Sequence, residues 1–216
     1  MKILFVSAVF PYPLYSGGQV RIFNLQKALG GKHEISLFAF TRKQEEQTYA
    51  SMLPFCKKVV SIHRGRAWRP DYLLRAILGK YPWVFATYDN DTMRGAIQEE
   101  LKKEKYDLIH IEPGYVWPSL PETHLPIVIG EHNVDHHVYE GYVRQFPVPF
   151  LRPLLSTDVA KLNTWEKTVW QRGAAITTVS DDDHTEIAAS AGSSRVHTVA
   201  NGVDVEEFVF RPKELQ

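Results

Sequence analysis

The sequence predicts an α/β fold in which a parallel sheet of about seven strands is covered by helices on both faces. Short apolar runs rich in β-branched residues recur along the 216-residue chain. Most of these runs are apolar at nearly every position, which is typical of strands buried on both faces. Segments with helical periodicity separate them, and this alternation favours parallel strands joined by right-handed crossovers. The length suits one globular domain, residues 1–216.

Seven segments have the composition and length of strands. In chain order they are Lys2–Ala8, Glu34–Phe40, Lys58–His63, Tyr106–Glu112, Pro126–Glu131, Ala174–Ser180 and Arg195–Ala200. A helix is predicted between the first two strands. Its apolar face is expected to consist of Val20, Phe23, Leu25, Ala28 and Leu29. Gly30 and Gly31 follow that face and predict the end of the helix.

Three further helices are predicted from their periodicity. Met93, Ile97 and Leu101 recur every four residues, which indicates a helix with one buried face. A short helix over Tyr72–Leu78 is expected to lead into a loop. A long helix over Leu151–Arg172 precedes the sixth strand.

The charge balance and the cysteine content exclude several classes of protein. Lys and Arg number 25, and Asp and Glu also number 25, so no net charge attracts nucleic acid. Cys56 is the one cysteine, which rules out an internal disulfide and fits a reducing compartment. No run approaches the ~18 apolar residues of a membrane span, and the N-terminal apolar run is too short for a signal peptide. We therefore expect a cytoplasmic protein, and peripheral contact with the inner face of the membrane stays open.

The loop after the first strand, Val9–Gly18, ends in two glycines at the start of a helix. Gly17 and Gly18 would allow positive φ and a close approach of a ligand to main-chain N–H groups. A helix start also suits phosphate. The alternative is a tight turn that needs only backbone freedom. Neither G-x-G-x-x-G nor G-x-x-x-x-G-K-[ST] is present, which argues against an NAD or ATP site.

Three later segments extend this pattern. "IGEHNV" ends a predicted strand with Glu131, His132 and Asn133, and "AAITTVSDDDH" runs from a strand through Ser180 into a row of acids. "VHTVANGVDVEEF" runs from a strand into Asn-Gly-Val-Asp. In this order, after an N-terminal strand and a Gly-Gly loop, the segments resemble the N-terminal half of retaining glycosyltransferases of the GT-B fold, family four. The resemblance spans almost the whole chain.

The resemblance implies a Rossmann-like domain that binds the acceptor and faces a second domain that binds most of a nucleoside-diphosphate sugar. Gly17 and Gly18 would reach the donor diphosphate. His132 would lie near the transferred sugar, where it can bond a hydroxyl or stabilise developing charge. Glu131 and Asn133 would support the loop or the ligand.

The same resemblance implies hexosyl transfer to a saccharide or lipid-linked acceptor in polysaccharide biosynthesis, with no metal or other cofactor. We expect the C-terminal nucleotide-sugar domain to be absent from this chain. A non-catalytic domain that binds a saccharide or a protein is the alternative. An epimerase of the sugar-nucleotide type would need the dinucleotide motif that the sequence lacks.

Histidine and aspartate clusters raise the question of a metal site. His132 and His136 could share a helix face, but no cysteine, H-E-x-x-H motif or suitably spaced acid accompanies them. Asp181, Asp182 and Asp183 could be taken for a D-x-D metal motif. Acids at a helix start also cap free amides and face the positive end of the helix dipole, and we favour that role.

Glu166 falls on the apolar face of the long predicted helix, where an unpaired carboxylate would be costly. We expect it to bond neighbouring backbone or a cation, and a supporting position behind His132 is the alternative. Arg21 could complement an anionic ligand, although a surface position is its default. Four loop aromatics are expected either at the rim of an acceptor cleft or in packing: Tyr12, Tyr15, Tyr115 and Trp117.

Overall fold

The structure is a computed structural model that describes residues 1–202, apart from the side chains of residues 44–47. These residues form a seven-stranded parallel sheet in the order β3-β2-β1-β4-β5-β6-β7. The strands are β1 (Lys2–Ser7), β2 (Glu34–Thr41), β3 (Lys58–His63), β4 (Leu108–Glu112), β5 (Ile127–Gly130), β6 (Ala175–Thr178) and β7 (Val196–Thr198). All seven predicted strands are confirmed, most of them slightly shorter. The Val-Asp-Val-Glu-Glu-Phe part of the last quoted segment lies outside the described residues.

Seven α-helices connect or flank these strands. They are α1 (Gly17–Gly30), α2 (Pro70–Leu78), α3 (Trp83–Ala86), α4 (Asp91–Lys103), α5 (Asp135–Arg144), α6 (Arg152–Arg172) and α7 (Asp181–Ala191). Short 3-10 helices span Gln44–Met52, Gly114–Ser119, Pro149–Leu151 and Ser193–Arg195. The segment after α2, predicted to be a loop, contains the single turn α3, which buries Val84, Phe85 and Ala86 against the core.

The sheet is buried on both faces. In β1, Phe5 packs into one hydrophobic cluster while Leu4 and Val6 pack into another, because successive side chains point to opposite sides. The first cluster includes Ile22 of α1, and we call that side the α1 face. The second includes Trp170 of α6, and we call that side the α6 face. Helices therefore cover both faces, as the near-continuous apolar strands predicted.

The predicted apolar face of α1 is confirmed in part, since Phe23, Leu25 and Leu29 pack against the cluster of the α1 face, but the most buried residues of the helix were not predicted. Ile22 and Gln26 are the buried residues, whereas Val20 is 38% exposed and Ala28 is also exposed. The polar residue Gln26 is tolerated on the buried side of α1 because its side-chain oxygen accepts a hydrogen bond from the Cys56 thiol, with Sγ at 3.7 Å. Burial raises the pKa of that thiol to about 12. The predicted end of the helix is confirmed, since Gly31 follows it and donates to the Leu29 carbonyl.

The start of α7 is capped by Ser180 and not by the acids that were expected to cap it. The Ser180 hydroxyl accepts from the Asp183 N–H at 3.2 Å and donates to the carboxylate of the same residue at 2.7 Å. Asp181, Asp182 and Asp183 occupy the first turn, where they face the positive end of the helix dipole. The acids therefore have a structural explanation that needs no metal.

Helix α2 has two different apolar sides. Tyr72 and Ala76 face the core. The opposite side presents apolar residues to solvent, namely Leu73, Leu74, Ile77 and Leu78. In the described part of the chain, no helix combines the length and the apolar character that a membrane crossing requires.

Candidate functional site at the carboxyl ends of the strands

The candidate site lies where the strand order reverses. Chain connections lead from β1 outward to β3 and then back to β4, which pairs with β1 on its other side. Crevices beyond the carboxyl ends of strands at such a reversal are the usual ligand sites of open parallel sheets. Three segments meet here: the start of α1 at Gly17, the end of β4 at Glu112, and the turn after β5 that contains His132.

A buried carboxylate and a histidine form the centre of the site. Glu112 is fully buried, and its Oε1 lies 2.9 Å from Nε2 of His132. Nε2 of His110 lies 3.6 Å from its other oxygen. Burial alone would raise the pKa of Glu112, but the bonds and charges of His110 and His132 outweigh it and lower that pKa to about 2. Because an ionised carboxylate only accepts, Nε2 of His132 carries the proton in this pair.

The glycine pair lies directly beside His132. A Cβ built on Gly18 would stand 3.4 Å from Nδ1 of His132, whereas one built on Gly17 would meet nothing within 4 Å. The positive φ that these glycines would allow is not used, because they are the first two residues of α1 and neither has positive φ. The absence of side chains leaves the main chain bare beside the imidazole.

The start of α1 offers free backbone donors. The Ser16 hydroxyl accepts from the Gln19 N–H at 3.4 Å and so caps one of the first amides. Within the described residues, the N–H groups of Gly17 and Gly18 have no acceptor. The first turn contains no acidic residue, so the positive end of the helix dipole is not neutralised there. An anion fits this position.

Arg21 is mostly buried, which corrects the default expectation of a surface position. Its side chain is 9% exposed, and Nε lies 3.5 Å from Oε1 of Glu112. Nη1 donates to the side chain of Asn201 at 2.8 Å. Nε and Nη2 have no hydrogen-bond partner within residues 1–202. Arg21 thus links the carboxylate of the site to the first residue of the Asn-Gly-Val-Asp segment.

Glu131 points away from this pair and into the interior. It accepts from the Trp170 indole at 2.9 Å and from the Gly114 N–H at 3.3 Å. Burial and the negative charges of Asp135 and Glu166 raise the pKa of Glu131 well above its ordinary value. The raised pKa favours the neutral acid compared with an ordinary glutamate, and the side chain joins α6 to the segment after β4.

Asn133 is exposed, and no hydrogen bond of its side chain occurs among the described residues. The structure therefore leaves it at the surface of the turn, one residue after His132.

Glu166 makes the backbone bonds that were expected of it. Its Oε1 accepts from the Asp135 N–H at 2.8 Å, and its Oε2 accepts from the His136 N–H at 3.2 Å. Nδ1 of His136 lies 2.7 Å from the same Oε2. Glu166 thereby caps the start of α5, which follows the His132 turn, without contacting His132 itself.

Two of the four loop aromatics lie at the front of α1. Tyr12 packs against Phe23 and Tyr49, with ring centroids 6.3 and 5.5 Å away. Tyr15 is 84% exposed and lines a cavity of about 310 Å³ together with Gln19. These two positions are compatible with the rim of an acceptor cleft.

Tyr115 and Trp117 pack against the core of the α6 face instead. The Tyr115 ring lies 5.0 Å from that of Tyr88, and burial raises the pKa of Tyr115 well above its ordinary value. Of the two expectations for these residues, rim or packing, the structure favours packing.

Glu112 and His110 were not recognised as site residues from the sequence. Both alternate with apolar residues in β4, and they point to the α1 face, where the His110 ring stacks on Phe5 with centroids 4.4 Å apart. A charged residue ending an otherwise apolar strand was the available signal. Gly130 supplies the space, because a Cβ there would stand 3.0 Å from Cδ of Glu112.

Comparison with known proteins places this geometry in context. The model of the family described as Glycosyltransferase Family 4 matches residues 15–207. The search of curated proteins found no match.

Solved structures with the same fold include Phytolacca americana UGT2 complexed with UDP-2fluoro-glucose and pterostilbene, at a TM-score of 0.55 and 10% identity. That match covers 91% of this chain and 52% of the solved chain. LpCGTa in complex with UDP gives 0.54 at 12% identity, covering 92% and 53%. Arabidopsis thaliana UGT89C1 complexed with UDP gives 0.52 at 11% identity, covering 94% and 50%. The chain spans about half the length of each.

Proposed function

The chain belongs to glycosyltransferase family 4, and on that basis we propose that it is the acceptor-side half of an enzyme that uses a nucleoside-diphosphate sugar. The enzyme transfers a hexose to a saccharide or lipid-linked acceptor with retention of anomeric configuration and without a metal. A C-terminal domain of the same parent protein binds most of the donor. The reaction belongs to polysaccharide biosynthesis.

One observation carries this proposal: free amides, a bare glycine surface and an oriented histidine converge at the reversal of strand order. The N–H groups of Gly17 and Gly18 would donate to the donor diphosphate, with no Cβ to hold its oxygens away. Three of the solved structures with this fold are complexes with UDP or a UDP-sugar, which supports a nucleoside-diphosphate sugar as the donor.

His132 would contact the transferred sugar through Nδ1, the nitrogen that faces Gly18. The Glu112 carboxylate holds Nε2–H at 2.9 Å and so orients the ring before any ligand arrives. Preorganised groups of this kind stabilise charge that develops in a transition state, because they need no rearrangement during the reaction. Arg21 adds a positive charge behind the pair.

The exposed side of α2 supports a lipid-linked acceptor and peripheral membrane contact at the cytoplasmic face. Leu74, Ile77 and Leu78 are 57%, 60% and 77% exposed, and Trp68 before the helix is 66% exposed. Exposed basic residues occur in and beside the helix in sequence, namely Arg66, Arg69, Arg75 and Lys80. An apolar helix side with cations near it in sequence fits the interface of an anionic bilayer.

Donor use is tested by placing a side chain at Gly17 in the full-length parent enzyme. Since a Cβ at Gly17 meets nothing in the chain, Gly17→Leu should leave the melting temperature unchanged and block only the diphosphate. We expect a loss of roughly 100-fold or more in kcat/KM for the donor. The matched control is Gly95→Leu in α4, where a Cβ also meets nothing within 4 Å.

Normal turnover by Gly17→Leu would refute the diphosphate role. If the unaltered full-length protein binds saccharide saturably but transfers no sugar from any nucleoside-diphosphate donor, the chain is instead the non-catalytic binding domain that the sequence left open.

Membrane contact is tested by co-sedimentation with vesicles that contain anionic lipid. The double variant Leu74→Ser/Ile77→Ser should bind at least several-fold more weakly than the unaltered chain. Val138→Ser, which removes an apolar side chain 55% exposed on α5, is the control and should bind normally. Equal binding by all three proteins would exclude α2 as the contact.

A further inference from the structure

Two adjacent histidines at the start of α5 face one carboxylate of α7. Nε2 of His136 lies 3.4 Å from Oε1 of Glu186, and Nε2 of His137 lies 2.8 Å from Oε2. One donor atom from each residue lies within 4.8 Å of the others. We propose that His136, His137 and Glu186 bind a divalent transition-metal ion, and that the ion is zinc, which takes imidazole nitrogen and carboxylate oxygen as ligands.

A buried carboxylate already orients one of the ligands. Oε2 of Glu166 lies 2.7 Å from Nδ1 of His136, so Nε2 is the nitrogen left to face Glu186. Glu166 is itself 5% exposed and is held by the backbone N–H groups at the start of α5. Histidines that bind metals characteristically donate their other N–H to a carboxylate in this way. The arrangement thus includes both a ligand and its supporting group.

The spacing of the ligand atoms suits zinc. Bonds of about 2.0–2.2 Å in a tetrahedral site place neighbouring ligand atoms roughly 3.3 Å apart. The 3.4 Å between Nε2 of His136 and Oε1 of Glu186 matches this spacing, and the 2.8 Å between Nε2 of His137 and Oε2 of Glu186 would have to widen by roughly 0.5 Å. The His137 side chain is 56% exposed and that of Glu186 is 33% exposed, so both are free to adjust around an ion. The same exposure leaves a further coordination position open to solvent.

The site would join two segments that border the strand-end site. Helix α5 follows the His132 turn, and α7 follows the end of β6. A metal between the two helices would stabilise the wall beside His132. It would take no part in the proposed transfer, because its ligands lie on α5 and α7 and not at the Glu112–His132 pair.

The direct test is a calorimetric titration of the metal-stripped chain with ZnCl₂, followed by thermal unfolding. We expect saturable binding of one equivalent. Because a ligand bound only to the folded state stabilises it, the melting temperature should rise by roughly 5–10 °C when free zinc is about 100 times its dissociation constant. No donor or acceptor is needed, so the result is independent of the proposed glycosyl transfer.

Variants separate a metal site from a cluster of hydrogen bonds. His137→Gln alters an exposed residue, so the fold should persist while zinc affinity falls at least tenfold. Glu186→Gln should do the same. The control is His184→Gln on α7, whose ring lies 3.3 Å from the Thr198 hydroxyl, and it should bind zinc normally. Absence of saturable binding, or unchanged affinity in both His137→Gln and Glu186→Gln, would overturn the proposal.

Discussion

Two buried glutamates at the ends of neighbouring strands have pKa values that are shifted in opposite directions. Glu112 is the last residue of β4, and Glu131 directly follows β5. Both are almost completely buried, and each lies against a glycine from the other strand's segment, Gly130 beside Glu112 and Gly114 beside Glu131. Yet the pKa of Glu112 is lowered to about 2, whereas the pKa of Glu131 is raised well above its ordinary value.

The difference shows that partners, and not burial alone, set the charge of a buried acid. Glu112 points to the α1 face, where His110, His132 and Arg21 surround it. Glu131 points to the α6 face, where its neighbours include two further acids and an indole N–H. The first glutamate therefore keeps its negative charge beside the candidate site, whereas the environment of the second favours the protonated form, which links a helix to a loop through hydrogen bonds.

The largest expected effect is on sugar transfer. In the full-length enzyme, Glu112→Gln should lower kcat/KM by roughly 100-fold, because the amide keeps the shape but loses the charge that holds His132 Nε2–H. Glu131→Gln should change kcat/KM by less than about threefold. Steady-state kinetics with the nucleoside-diphosphate donor measure both. Equal losses in the two variants would remove the functional distinction between the two strand ends.

The next effect is on stability in acid. The folded pKa of Glu112 is lowered, so its contribution is present above about pH 4.5 and is lost as pH falls toward about 2. This contribution amounts to at most about 3 kcal/mol. Urea unfolding of the chain across this range should show the advantage of the unaltered chain over Glu112→Gln shrinking as pH falls. A constant difference between the two would contradict the lowered pKa.

A smaller effect is expected at the two glycines. A Cβ at Gly114 would overlap Oε1 of Glu131, and one at Gly130 would stand 3.0 Å from Cδ of Glu112. We expect Gly114→Ala to lower the free energy of unfolding by about 2 kcal/mol and Gly130→Ala by about 1 kcal/mol. Gly95→Ala, in open space on a helix, should be neutral or slightly stabilising. Denaturant titrations that reverse this ranking would show that the carboxylates move more freely than their contacts indicate.

The smallest effect is expected for Glu131→Gln at about pH 4 or below, where the variant should match the unaltered chain within about 1 kcal/mol, because a protonated acid and an amide make similar bonds. The pH dependence of the free energy of unfolding should distinguish the two proteins more clearly. Since the folded pKa is raised, the unfolded chain loses its proton first, and stability falls as pH rises above about 4.5, by at most about 1.4 kcal/mol per pH unit. Glu131→Gln should lack that slope in the same unfolding series. An unchanged slope would mean that Glu131 is ionised in the folded chain.

Much of the fold was predictable because its causes are local. Strands buried on both faces need apolar side chains at successive positions, so all seven were recognisable from short runs. The acidic start of α7 was recognised for an equally local reason, although the residue that caps it is Ser180 and not one of the acids. The buried side of α1 was predicted only in part, because Gln26 is held there by a bond to Cys56, thirty residues away in sequence.

The candidate site was predicted only in part. The proximity of Gly18 and His132 agrees with the expectation from the family resemblance, and their roles stay predictions. Glu112 was missed because its importance arises from long-range pairing: His132 is twenty residues away and Arg21 is ninety-one residues away in sequence. The periodicity of the sequence does not show that α1, β4 and the turn after β5 lie close together in the fold.

The single thiol has a practical consequence for spectroscopy. Cys56 is partly buried, and its pKa of about 12 leaves almost no thiolate at neutral pH, so it should react slowly with maleimides. A cysteine introduced at an exposed position such as Tyr15 could then carry a fluorophore or a spin label selectively. The native thiol should therefore contribute little background labelling. The signal of the introduced label could then report movement of the loop before α1 as donor is added.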